Sequence, residues 1–393
     1  MDSLPDFPWD SLAPYKERAS SHVGGLVDLS VGTPVDPTPE VVRAALTAAA
    51  DAHGYPQTWG TPALREAVAT WFARRRGVPD VNPDGVLPTI GSKELVAWLQ
   101  TLLGAGPGDV VVLPAVAYPT YDVGARLAGA SPQPMHNLTS LGPMTSATTP
   151  KLLWLNSPGN PTGQVLGHEH LAKVVRWARQ HGVIVASDEC YAELDWRADG
   201  MAGGSPSGLP TPGAVPSILD PRVCGGSHEG LLAVYSLSKQ SSMAGYRAAF
   251  VAGDPALVGR LLEIRKHAGM MVPWPVQQAM LAALTDDAHV AEQRVRYGIR
   301  RGHLRSALEH AGYRIDHSDA GLYLWVTRGD VEDAGADSPC WAILGEMADL
   351  GILVAPGSFY GATGGRHVRI ALTATDERIG AAVERLARRG QGG

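Results

Sequence analysis

The sequence predicts an α/β fold, a mainly parallel sheet covered by helices on both faces, with a smaller α/β layer toward the C-terminus. Three observations predict it. Short apolar runs recur without polar alternation, which is how strands buried on both faces read. Stretches of helical periodicity separate them, as crossovers between parallel strands require. Polar or glycine-rich segments follow directly after the apolar runs, at the carboxyl ends of strands, where open sheets of this kind bind ligands.

Taken in order, the first thirty residues hold Pro5, Pro8 and Pro14 among scattered aromatics and read as an arm lying on another surface. Leu26 to Val31 is short, apolar and β-branched, a strand feeding the Pro-rich loop Gly32 to Pro39. Residues 39–50 read as a helix begun by proline. A second helix follows the loop Gly54 to Gly60, with Thr61 as N-cap and Pro62 at its first position. Next comes a strand over 85–90, then Gly91-Ser92-Lys93 opening a helix over 94–103, an arrangement that aims backbone N–H groups at an anion. Val110 to Leu113, Leu152 to Leu155, Val183 to Ser187, Leu231 to Tyr235 and Ala248 to Ala252 supply further strands, with helices at 121–130 and 169–181. The Gly- and Pro-rich stretch 201–216 reads as a flexible surface insertion. One long arginine-rich helical pattern over 276–310 leads to strands at 312–315, 321–326, 352–354 and 367–371, with helices around 341–350 and from Asp376.

A chain of 393 residues exceeds the size at which one hydrophobic core keeps growing, so two domains are expected. Hydrophobic residues at 45% and charged residues at 18% describe an ordinary globular protein. A net charge of −6 without a basic block gives no footprint for nucleic acid. No apolar run approaches the ~20 residues of a membrane span, and the acidic start is unlike a secretion signal. A cytoplasmic location follows as the expectation. Cys190, Cys224 and Cys340 are too few and too scattered for a disulfide framework or a C-x-x-C metal site, so reduced thiols are expected. His168 and His170 lack a third ligand and read as surface histidines, with no metal expected. The arginines between 294 and 305 read as a solvated helix face.

Four features stand together in order: Asn160-Pro-Thr-Gly163, Asp188-Glu-Cys-Tyr191, Ser236-Leu-Ser-Lys239 and Arg247. A lysine amine attacks carbonyls only if its charge is suppressed or captured, and a phosphate-bearing aldehyde held by adjacent Ser and Arg would meet that need. Each feature alone has a plain structural reading: a turn for Asn-Pro-Thr-Gly, a capping or loop carboxylate for Asp188, a surface lysine among serines for Lys239. As an ordered set, from about Leu26 to about Thr373, they resemble the class I/II aminotransferases, fold-type I enzymes dependent on pyridoxal 5′-phosphate.

The resemblance implies a large domain with a mainly parallel seven-stranded sheet over residues 46–285, a C-terminal small domain over 286–393, and an N-terminal arm, 1–45, that joins the small domain in part. It makes Lys239 the lysine that carries the cofactor and moves a proton at the substrate α-carbon. Asp188 would face the pyridine nitrogen, and Tyr191 with Asn160 would hydrogen-bond the phenolic oxygen. Ser236, Ser238, Arg247 and the turn Gly91-Ser92-Lys93 would hold the phosphate, since a guanidinium offers planar paired donors. Tyr118 would stack on the ring. Tyr55 would reach the phosphate of a neighbouring subunit, which implies a homodimer with shared active sites. Arg369 would grip the substrate α-carboxylate, and Gly32 would close over the substrate. Within the family, Pro5-Asp-Phe-Pro-Trp-Asp10, Leu87 to Val96, Ala117 to Tyr121 and Cys224 to His228 resemble phrases of actinobacterial succinyldiaminopimelate aminotransferases. That likeness implies small amino-acid and 2-oxo-acid substrates, glutamate as donor and a place in lysine biosynthesis. The rival enzyme readings are a transaminase of aspartate, aromatic or N-acetylornithine type and a C–S lyase. A regulatory binding module would need a DNA-binding segment ahead of Leu26, where there are only Pro-rich residues.

Overall fold

The structure, a computed structural model, describes residues 4–141, 144–145, 148–197, 209–328 and 338–390. Seven strands form the larger sheet in the order Val86–Ile90, Ala248–Gly253, Leu231–Ser236, Ile184–Asp188, Leu152–Asn156, Val110–Pro114, Ser131–Met135. Ala248–Gly253 alone runs opposite to the other six, antiparallel to Val86–Ile90 and to Leu231–Ser236. This is the predicted mainly parallel sheet. Its strands are apolar on both faces because both are covered: Leu153, Leu155 and Val185 join one core with the helices Pro62–Trp71, His168–His181 and Trp274–Thr285, while Leu152, Trp154 and Ala186 join the other with Ser92–Leu102, Thr120–Leu127 and Pro255–Ala268. Fully burying such a Leu or Val side chain contributes about 1.5–3 kcal/mol.

A second core is built on an antiparallel sheet, Ala355–Pro356, Val368–Ala371, Tyr323–Arg328 and Tyr313–Asp316, with the helices Ala288–His310, Pro339–Asp349 and Asp376–Gly390 against it. Val27–Asp28 pairs parallel with Ile352–Leu353. The second core also takes in Cys190, Tyr191, Leu194 and Trp196 from the segment after Ile184–Asp188, so the two layers meet at that strand's carboxyl end.

Several expectations are corrected. The N-terminal arm holds a helix, Ala13–Ser20, started by Pro14 and packed against Pro339–Asp349. The strand expected over 26–31 is limited to Val27–Asp28, because the Asp28 carboxylate accepts from Ser30 N and Oγ and turns the chain. Thr61 caps the helix Pro62–Trp71 as expected, accepting from Leu64 N at 3.1 Å. The long pattern over 276–310 is two helices, Trp274–Thr285 and Ala288–His310, the second started by Asp286, whose side chain accepts from Ala288 N. Ser131–Met135, missing from the sequence reading, carries Pro132 and Pro134 and is admissible only because it lies at the sheet edge.

The arginine-rich face is not simply solvated. Arg294 and Arg300 are 2% and 3% exposed. Arg300 grips Asp36 with both terminal nitrogens and Asp376 through Nε, so one guanidinium ties the loop after Val27–Asp28 to the helices of the second core. Residues 201–208 of the expected insertion lie outside the described residues. The remainder is packed: Val215 is buried, and Pro210 and Val215 carbonyls accept from Arg75 and Arg76. Those two arginines, on the turn Phe72–Arg76, pair with Glu193 at 2.8 Å and Glu189 at 2.9 Å, all four side chains buried. Removing one partner of such a pair costs about 3–5 kcal/mol through the charge left behind. Glu189 follows Asp188 directly, and its other oxygen accepts from Ile218 N and Ser217 Oγ. The pair thereby anchors the backbone that presents Asp188. Cys190, Cys224 and Cys340 are buried free thiols. Among the described residues no helix is long and apolar enough to cross a membrane, and no group of three or more His, Cys, Asp or Glu could hold a metal ion.

Candidate active site

Parallel pairing places Asn156 beside Asp188, and Asp188 beside Val234, so the carboxyl ends of three adjacent strands open on one side of the sheet. The turns that follow them converge there with the start of Ser92–Leu102 and with Val31-Gly32-Thr33 and Arg369 from the second layer. Together they enclose a cavity of about 480 Å³. Of the residues singled out from sequence, Gly32, Ser92, Lys93, Tyr118, Asn160, Asp188, Tyr191, Ser236, Ser238, Lys239, Arg247 and Arg369 line it.

Two do not. Gly91 stands behind the lining, with φ at +77°, and a Cβ there would fall 2.2 Å from a terminal nitrogen of Arg247. Only glycine lets that guanidinium lie over the strand-to-helix turn. Tyr55 is 99% exposed in the single chain, away from this cavity.

The Lys239 ammonium donates to the Gly32 carbonyl. Burial pulls its pKa below the ordinary lysine value; Tyr323 opposes this, and the charges of Arg369 and Arg247 add to it. A neutral, nucleophilic amine is thereby favoured. Asp188 is 8% exposed, and burial raises its carboxyl pKa against the hydrogen bonds it accepts. One oxygen accepts from Tyr121 Oη at 2.8 Å and the other from Cys190 N at 3.1 Å. No Lys, Arg or His pairs with it among the described residues.

Ser236 Oγ and Ser238 Oγ lie 2.9 Å apart, with Ser238 N donating to Ser236 Oγ. Facing them, the first turn of Ser92–Leu102 presents N–H groups that have no acceptor within the helix. Arg247, in the left-handed region at φ +54°, donates to Ala244 O through one nitrogen. Arg369 is 3% exposed; it donates to Asn160 Oδ1 at 3.1 Å and Ser30 O at 2.6 Å, while its Nε is buried without a partner. Asn160 and Tyr191 line the same wall, but Tyr191 Oη lies 3.2 Å from Tyr323 Oη.

These features fit pyridoxal phosphate. A buried carboxylate without a cation suits a protonated ring nitrogen, since a buried charge is costly until paired. A cradle of two serines, a helix start and an arginine over a glycine suits a phosphate dianion. Arg369 is a buried cation with donor capacity to spare for a carboxylate.

Sequence reasoning missed Asn156, Tyr121 and Tyr323. Asn156 is at the end of its strand as Asp188 is of its own, a polar residue closing an apolar run, and its side chain orders the turn by accepting from Asn160 N at 2.7 Å. Tyr121 was legible only as a helix residue three after Tyr118. Tyr323 lies within an apolar strand pattern that gave no signal. Phe7 and Trp9 also line the mouth, although they sit in the N-terminal arm.

The family model described as aminotransferase class I and II matches residues 25–386. The chain is 56% identical over 386 residues, covering 98% of it and 100% of the relative, to the 4-dedimethylamino-4-oxo-anhydrotetracycline transaminase of Streptomyces rimosus. It is 33% identical over 402 residues to the LL-diaminopimelate aminotransferase of Gloeobacter violaceus, covering 98% of the chain and 96% of the relative. A crystal structure of an aminotransferase from Neisseria meningitidis superposes with a TM-score of 0.82 at 30% identity, covering 99% of this chain and 98% of that one.

Proposed function

The chain belongs to the class I and II aminotransferases, which depend on pyridoxal phosphate, and from that premise we propose that it transfers the amino group of glutamate to N-succinyl-2-amino-6-oxopimelate, the 2-oxo acid of diaminopimelate synthesis. The single observation that carries the transamination reading is the placement of Lys239, Asp188, Arg247 and Arg369 around one cavity. The acceptor rests on the sequence phrases named above and on the relatives that act on diaminopimelate. We place the enzyme in the cytoplasm, with the large domain over 46–285 and the small domain over 286–393 joined in part by the arm 1–45.

When bound, pyridoxal phosphate supplies an electron sink for the pair left when a proton leaves the substrate α-carbon. The chain's residues do the remainder. Lys239 would hold the cofactor through its amine and would hold and return the proton at the substrate α-carbon. Asp188 keeps the ring nitrogen protonated. Ser236, Ser238, Arg247 and the Gly91–Lys93 turn would hold the phosphate, Tyr118 would pack on the ring, and Tyr191 with Asn160 would hydrogen-bond the phenolic oxygen. Arg369 fixes the substrate by its α-carboxylate, and Gly32 closes over it.

A second acceptor reading is favoured by the Streptomyces rimosus relative, named for a polycyclic ketone, and by the aromatic lining of Phe7, Trp9 and Tyr118. Glutamate formation from 2-oxoglutarate, followed with a panel of amino donors that includes N-succinyl-diaminopimelate, separates the two. The expected result is that this compound is the best donor; activity confined to polycyclic amines would overturn the first reading in favour of the second. Pyruvate and ammonia released from cystathionine, without amine transfer, would point to a lyase.

We place Tyr55 in the active site of a second subunit, since its phenol is fully exposed on one chain. Mixing Tyr55→Ala with Lys239→Ala subunits then regenerates one intact site per heterodimer. About a quarter of wild-type activity is expected after random reassortment of equal amounts, with sizing to confirm the dimer. No gain over the separate variants would remove Tyr55 from a shared site.

A further inference from the structure

We propose that Tyr323 is a positioning residue of the reaction: its ring face holds the guanidinium of Arg369, and its hydroxyl, wedged between Gly32 and Tyr191, sets the direction in which Tyr191 presents its own hydroxyl. The inference rests on the roles proposed above for Arg369 and Tyr191. Its ring half follows from strand register. Tyr323 pairs with Ala371 across the antiparallel ladder, which puts Arg369 at the diagonal position on the same face, within reach of a long side chain. The Arg369 guanidinium carbon lies 4.0 Å from the Tyr323 ring centroid and 5.0 Å from that of Tyr360. Two aromatic rings and the acceptors Asn160 Oδ1 and Ser30 O therefore fix the fork, leaving its geometry set before a carboxylate arrives.

The hydroxyl half follows from contact. A Cβ on Gly32 would fall 2.1 Å from Tyr323 Oη, so the hydroxyl bears directly on the segment whose carbonyl accepts from Lys239. On its other side it meets Tyr191 Oη at 3.2 Å. The charged and titratable groups that act on it are Arg369, Lys239 and Tyr191, with Tyr360 and Tyr297 as further phenols nearby. Burial pushes the Tyr323 phenol up, but Arg369 and Lys239 outweigh it and leave it below the ordinary tyrosine value, whereas burial and Tyr323 push Tyr191 well above. Either hydroxyl can donate in this pair, and the contact itself limits the directions open to both. With Gly32 on one side of it, the Tyr323 hydroxyl orients Tyr191 by holding a fixed polar partner against its Oη.

Two holoenzyme variants separate the halves. Tyr323→Phe keeps the ring and removes the hydroxyl; the expected result is a KM for glutamate within about twofold of wild type, a kcat lower by roughly tenfold and a displaced kcat–pH profile. Tyr323→Leu removes both and is expected to raise KM for glutamate by roughly tenfold as well. A readout without cofactor is the near-ultraviolet phenolate titration of cofactor-free protein, in which Tyr323→Phe should lose one tyrosine that ionises below the ordinary range. A Tyr323→Phe pH profile and phenolate titration that superimpose on wild type would overturn the hydroxyl's role, and an unchanged KM in Tyr323→Leu would overturn the ring's. Arg369→Lys is the control for the underlying reading. An unchanged KM for glutamate there would reject the carboxylate site and with it the ring's role, while the phenolate titration still decides the hydroxyl's.

Discussion

Lys239→Ala is expected to leave a folded protein that holds pyridoxal phosphate weakly and loses turnover by at least roughly 10⁴-fold, because covalent capture and proton transfer at the α-carbon are both removed. Borohydride reduction of the wild-type holoenzyme followed by peptide mapping should place a phosphopyridoxyl group on Lys239, and the variant should carry none. Normal transamination by the variant, or an adduct on another lysine, would refute the assignment. The sign of the pH effect follows from the lowered amine pKa. The amine is neutral across the window between its lowered value and the ordinary lysine value, so capture of the cofactor by cofactor-free protein stays fast to a lower pH than for free lysine, and slows once the pH falls through the lowered value.

The second large effect belongs to Asp188→Asn. Loss of the carboxylate that faces the ring nitrogen should lower kcat on the order of 10²–10³-fold, the range for removing one preorganised electrostatic partner. Stability should move oppositely in the cofactor-free protein. Burial raises the Asp188 pKa, so whatever the protonated side chain contributes is fully present below the unfolded carboxylate value and is lost as pH rises through the raised folded value. Above that raised value the side chain is an ionised, buried carboxylate without a cation, and there the neutral amide is expected to be more stable by roughly 1–2 kcal/mol. With cofactor bound the order reverses, because only the carboxylate pairs with a ring cation. Denaturant titrations of both proteins, with and without pyridoxal phosphate, check both signs. A variant less stable in both forms would show that Asp188 serves packing.

The two variants probe different parts of what could be read in advance. Asp188 and Lys239 were legible because each stands directly after an apolar strand, in an order that few other chemistries would require. Ser236, Ser238 and Arg247 flank strand ends in the same way, whereas Arg369 lies inside Val368–Ala371 and was legible only through the family resemblance. Tyr323 was not: within Tyr323–Arg328 it alternates as any core tyrosine would, and its importance comes from a diagonal neighbour on Val368–Ala371, 46 residues away. Arg300 misled for a related reason. Its spacing along Ala288–His310 fits a solvated face, yet Asp36 and Asp376 arrive from distant segments and bury it.

What the sequence by itself determined is whatever depends on local pattern: buried parallel strands from unbroken apolar runs, the N-cap at Thr61, and a cofactor-binding set strung along the chain in family order. What only the tertiary structure decided depends on which faces meet. It set the edge position that admits Pro132 and Pro134, the anchoring of the Asp188 turn by Arg76 through Glu189, the guanidinium of Arg369 between two aromatic rings, and the contact of Gly32 with Tyr323. Periodicity and spacing report how a residue relates to its chain neighbours, whereas burial, charge pairing and pKa are set by side chains brought close from remote positions.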